Sequence, residues 1–124
     1  MPRTKVIYYR EDTGADAQVL IWLDGLPDKV QDKCVDYVGR LCSSGNELRR
    51  PVCDIAEPGI WYLRPRWQDV HYRILYSFVG KNKAILLHGC TKVDRLGPGD
   101  IAIAQRKLER YEKNPQLHTY IEEL

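Results

Sequence analysis

The sequence predicts a single α+β domain spanning residues 1–124. An N-terminal strand, an antiparallel helical hairpin and a C-terminal helix pack on a three- to four-stranded antiparallel sheet. Three observations lead there. The 124 residues suit one hydrophobic core, and 44% hydrophobic with 29% charged residues is the balance of a globular chain. Apolar residues recur at helical spacing before and after a central block. That block, residues 60–92, is rich in β-branched and aromatic residues and is cut by tight turns.

Lys5-Val6-Ile7-Tyr8-Tyr9 reads as the first strand, closed by the polar stretch from Arg10 to Gly14. Ala15, Val19, Trp22, Leu23 and Leu26 then share one helical face, and Gly25 stops that helix. Pro27 opens a second helix whose stripe is Val30, Cys34, Tyr37, Val38, Leu41 and Cys42, ending near Ser43-Ser44-Gly45-Asn46. Three runs follow: Ile60 to Trp67, Val70 to Val79, and Lys83 to Lys92. The loops between them, Gln68-Asp69 and Gly80-Lys81-Asn82, are short enough to require an antiparallel meander. Helical spacing returns at Ile101, Ala104, Leu108 and Tyr111, behind Pro98 and with Asp100 in the first turn.

The net charge of +2 is unevenly spread: residues 49–95 hold 9 Lys/Arg against 4 Asp/Glu, whereas both flanks are slightly acidic. A basic middle fits a polyanion-binding face, although solvated surface gives similar counts. Cys34, Cys42, Cys53 and Cys90 form no C-x-x-C pair and have no histidine spaced for zinc, so they read as buried thiols, with no metal expected. No apolar run approaches the length that spans a bilayer, and no leader pattern opens the chain, so the expected location is cytoplasmic.

Strand alternation places Tyr62, Arg64 and Arg66 on one face of the first meander strand, with Trp61, Leu63 and Trp67 on the other. In the third, Leu86, His88, Cys90 and Lys92 share a face opposite Ile85 and Leu87. Arg73 points away from the row of Tyr72, Ile74, Tyr76 and Phe78. Clustered arginines suit a phosphoryl-transfer transition state, because each guanidinium can hold a phosphate with two hydrogen bonds. In RNA cleavage by the 2′-hydroxyl, His88, Tyr72 or Lys92 would move the protons. The bland alternatives stay open: strand arginines are commonly surface residues, and a histidine inside an apolar run such as Ile85-Leu86-Leu87-His88-Gly89 is more often a satisfied semi-buried residue than a catalyst. His71 and His118 have no supporting constellation. Trp61 and Trp67 read as core.

Several blocks together resemble a known family: Glu47-Leu48-Arg49-Arg50-Pro51, Glu57-Pro58-Gly59-Ile60-Trp61-Tyr62-Leu63-Arg64-Pro65-Arg66, Tyr72-Arg73-Ile74-Leu75-Tyr76, Leu86-Leu87-His88-Gly89-Cys90-Thr91-Lys92 and Pro98-Gly99-Asp100-Ile101-Ala102-Ile103-Ala104. They are similar to the RelE/HigB toxins of the RelE/ParE superfamily, in particular the phage-derived branch, over roughly residues 47–111. The resemblance implies a RelE-like fold, a cognate helix-turn-helix antitoxin, and ribosome-dependent cleavage of mRNA without metal or small-molecule cofactor. It carries the functional positions onto Arg64, Arg73 and Lys92, and leaves His88 and Tyr72 as proton-transfer candidates. Arg66, Arg49, Arg50 and Arg95 are candidate phosphate contacts. The branch usually has an aromatic where Cys90 stands and a second lysine where Val93 stands. A ParE-like gyrase inhibitor or a phage protein that binds a host factor would share the fold without the nuclease.

Overall fold

The computed structural model describes residues 3–92 and 95–122, so the Val93 position lies outside the described residues. Seven strands form one sheet: β1 (Lys5–Tyr9), β2 (Cys53–Glu57), β3 (Ile60–Leu63), β4 (Arg66–Trp67), β5 (Val70–Val79), β6 (Lys83–Lys92) and β7 (Thr119–Tyr120). The helices are α1 (Gln18–Asp24), α2 (Asp28–Ser44), α3 (Pro98–Lys113) and the single turn α4 (Pro115–His118). Strand order is β2-β3-β5-β6-β1-β7, with β4 also on β5. β1 runs parallel to β6, and every other described pair is antiparallel. Among the described residues, no helix is long and apolar enough to cross a membrane.

The α+β architecture is the expected one, on a wider sheet. β1, β3 and β5 form where β-branched and aromatic residues are densest, and β6 is built on the apolar run Ala84-Ile85-Leu86-Leu87. The Gln68-Asp69 loop is a two-residue hairpin turn with both residues left-handed, φ 49° and 66°, the geometry that matches strand twist. β2 was not expected, because its pairing with β3 skips Ala56 and so breaks the period of two. Pro58-Gly59, with Gly59 at φ 88°, turns β2 into β3. The run expected from Ile60 to Trp67 is interrupted at Arg64-Pro65. Proline has no N–H for the ladder, and the Arg64 N–H turns instead to the Val52 carbonyl at 2.9 Å. Arg66 nevertheless pairs with His71 across the hairpin, so it stays on the face of Tyr62, as alternation predicts. α1 starts at Gln18 rather than near Ala15, whose N–H closes a turn on Asp12.

The sheet is covered on both faces. Under α1 and α2, Val19, Leu23, Val30, Cys34 and Leu41 bury Tyr8, Leu63, Ile74, Tyr76, Ala84 and Leu86. On the other face Ala104 and Tyr111 of α3 meet Ile7, Tyr9, Ile60, Leu75, Ile85 and Leu87. The four cysteines are free, with Cys42 half-buried and the others buried.

One irregularity decides where the polar residues of β6 point. Tyr76 pairs with Leu86 but Leu75 pairs with His88, so Leu87 is an extra residue, a β-bulge. Beyond it the alternation changes phase. Leu86 faces α1 and α2, whereas His88, Cys90 and Lys92 join Ile85 and Leu87 on the α3 face, which corrects the grouping read from simple alternation. Gly89 and Thr91 then face α1, where the Trp22 indole bonds the Thr91 hydroxyl at 3.1 Å. A Cβ on Gly89 would sit 2.4 Å from the Trp22 ring, so only glycine lets that ring lie on the strand.

Candidate functional site

Cross-strand partners share a face. Because β5 and β6 pair His71 with Lys92 and Arg73 with Cys90, these four side chains stand together on the α3 face. The first turn of α3 brings Asp100 over them. One carboxylate oxygen lies 3.0 Å from His88 Nε2 and the other 3.2 Å from Lys92 Nζ. His88 and Asp100 are nearly buried, with side chains 12% and 13% exposed, while Lys92 reaches solvent at 39%.

Arg73 is buried at 8% exposure, with its guanidinium 5.8 Å from the centroid of the Tyr62 ring. Tyr62 in turn lies across from Asp54 of β2, which the exposed Arg50 bonds. Burial lowers the pKa of His71, and the charges of Arg73, Arg66 and Arg64 lower it further. Three arginines therefore converge on the end of β5.

Burial also holds His88 below the ordinary imidazole value, with Lys107 and Lys92 adding to it and Asp100 opposing. At neutral pH His88 is uncharged. Burial alone would raise Asp100, but the bonds from His88 and Lys92 outweigh it and keep the group an anion. An anionic Asp100 accepts, so Nε2 carries the proton and Nδ1 keeps a lone pair. No described group bonds that buried nitrogen. Among the described residues His88, Cys90 and Asp100 form a group with metal-ligand spacing, their ligand atoms within 4.8 Å of one another. Its surroundings oppose a cation: burial pushes the Cys90 thiol up to about 11, and Lys92 already occupies Asp100.

The candidates read from the sequence thus separate. Arg73, His88 and Lys92 come together, with Arg64 and Arg66 close enough to act on His71. Arg66 is exposed and bonds Asp69 at 2.9 Å. Arg95 is exposed in the segment leading to α3. Arg49 is folded onto its own backbone, on the carbonyls of Asn46 and Leu48 at 2.7 and 2.9 Å. Tyr72 lies buried on the opposite face, against Trp22. Asp100 and His71 were missed. Asp100 read as a helix-dipole residue, and only the register reveals that His71 sits beside Lys92. His118 is structural, stacked on Tyr9 at 5.1 Å.

The family described as phage derived protein Gp49-like (DUF891) matches residues 21–109, from within α1 into α3. Arg64, Arg73, His88, Lys92 and Asp100 all fall inside that span. A search of curated proteins gave no match. With well over half of its length matched, the chain belongs to the Gp49-like family of phage-derived proteins.

Proposed function

We propose that this protein is the toxin of a type II toxin-antitoxin pair, an endoribonuclease that cuts mRNA on the ribosome and is neutralised by a helix-turn-helix antitoxin. The Gp49-like family supports the toxin class, and the observation that carries the chemistry is the convergence of Arg73, Lys92 and an Asp100-oriented His88 on one sheet face.

In this reading Arg73 and Lys92 balance the charge that builds on the scissile phosphate, and Arg64 and Arg66 guide the RNA backbone toward them. His88 is neutral and carries a lone pair on Nδ1, a nitrogen enclosed in the free protein, so RNA binding has to open a path to it. It then accepts the proton of the attacking 2′-hydroxyl while Asp100 steadies the imidazolium that forms. The 2′-oxygen bonds to phosphorus and the 5′-oxygen departs with a proton supplied by Lys92, leaving a 2′,3′-cyclic phosphate. Side chains alone supply the cations and proton transfers, so the scheme requires no metal.

Primer extension on an mRNA translated by purified ribosomes tests it. The wild-type protein is expected to cut at ribosome-occupied codons, and Arg73→Ala to cut on the order of 10²-fold more slowly while keeping its circular dichroism spectrum. Intact mRNA with the wild-type protein, together with inhibition of gyrase supercoiling, would replace the nuclease by a ParE-like reading.

A further inference from the structure

The bulge on β6 is held by a side chain from α3. The ladder to β1 ends with Tyr8 opposite Leu86, and the ladder to β5 skips Leu87. The Leu87 carbonyl thus sits at the bulge, beyond the paired registers, in a residue only 1% exposed. Lys107 of α3 reaches it, its ammonium donating to that carbonyl at 3.1 Å. Lys107 is itself buried, 6% exposed as a residue, with its ammonium 5.5 Å from the centroid of the Tyr9 ring. Burying a lysine is unfavourable, so a shorter apolar residue would serve packing better. Two residues further on, the Gln18 amide bonds both backbone groups of Gly89, at 3.0 and 3.1 Å. His88 is thus clamped between two anchored neighbours. Asp100, Ala104 and Lys107 lie on one face of α3, so the helix that orients the imidazole also holds the bulge.

We propose that Lys107 is a positioning residue of the site, holding through the Leu87 carbonyl the β6 bulge that turns His88 onto Asp100. The proposal rests on the reading of His88 given above. Without the bulge, alternation would return His88 to the face of Leu86, under α1, away from Asp100 and Lys92. Lys107 has a second handle on the same ring through its charge. The groups that face His88 are Asp100 and Lys107 of α3 and Lys92 and Cys90 of β6, with Arg73 of β5 across from Cys90.

The test uses the full chain and two readouts, the NMR titration of the His88 ring and the cleavage rate on translating ribosomes. In Lys107→Met, which removes donor and charge, the His88 resonance moves as the ring leaves Asp100, its titration changes, and kcat falls on the order of 10-fold with KM held. Lys107→Gln keeps a donor without the charge. It recovers most of the lost rate while its His88, still on Asp100 but freed of the Lys107 charge, titrates higher than in the wild type. A Lys107→Met protein with wild-type His88 resonance, titration and rate overturns the proposal. If that variant does not fold, the wild-type protein decides: Lys107 ammonium protons that exchange as fast as those of an exposed lysine, with no hydrogen-bond coupling to the Leu87 carbonyl, overturn it equally. Should the wild-type protein cut no RNA, the nuclease reading falls, and the NMR arm alone still decides whether Lys107 positions His88.

Discussion

Under α1 and α2 the strands present Tyr8, Leu63, Ile74, Tyr76, Ala84 and Leu86, all buried against apolar helix residues. Under α3 a similar apolar set shares its face with Arg73, His88, Lys92, Asp100 and Lys107, and two of these, Arg73 and Lys107, are buried charges. Buried ions seldom add stability over well-packed apolar residues, so the second face is poorly explained as a core. The contrast singles out the α3 face as the one on which the proposed chemistry rests.

The comparison breaks most visibly on the apolar face. Leu86 is fully buried, and Leu86→Ala is expected to lower stability by about 2–5 kcal/mol in urea denaturation, because it leaves a cavity between helix and sheet. Next comes Gly89→Ala, where the new methyl meets the Trp22 ring; a loss of about 1–3 kcal/mol with a shifted Trp22 fluorescence is expected. Unchanged fluorescence would mean that the ring has room to move.

On the α3 face Asp100→Asn sharpens the contrast through pH. The Asp100 pKa is depressed in the folded state, so the group stabilises the fold above the ordinary carboxylate range, and that contribution is lost as pH falls through the lowered value. The variant should be less stable at neutral pH and show a shallower acid unfolding profile. Its His88, deprived of the group that opposes burial, should titrate lower still. The smallest effect belongs to the surface pair Arg40–Asp36, whose side chains are 54% and 58% exposed. Arg40→Ala is expected to change stability by less than about 0.5 kcal/mol.

Much of this was legible in the residues. The spacing of Val30, Cys34 and Leu41 marks α2, and the Gln68-Asp69 and Gly80-Lys81-Asn82 turns delimit β5 and β6 at their observed ends. Arg73, His88 and Lys92 were candidates from alternation and resemblance, and they do meet. What was hidden shares one cause: local periodicity does not register a change of phase. The Ala56 irregularity concealed β2, Pro65 cut the first meander strand, and the Leu87 bulge moved His88 to the face opposite Leu86. Asp100 was hidden for a different reason, since no pattern within a helix says which strand residue its first turn will meet.

The most direct test takes one tyrosine and one histidine, from opposite faces of the sheet, and compares Tyr72→Phe with His88→Gln for mRNA cleavage on purified translating ribosomes. The account predicts that Tyr72→Phe cuts at the wild-type rate and that His88→Gln is slower by about 10²-fold or more. Full cleavage by His88→Gln, with loss in Tyr72→Phe, would contradict it and move the chemistry to the α1 side of the sheet.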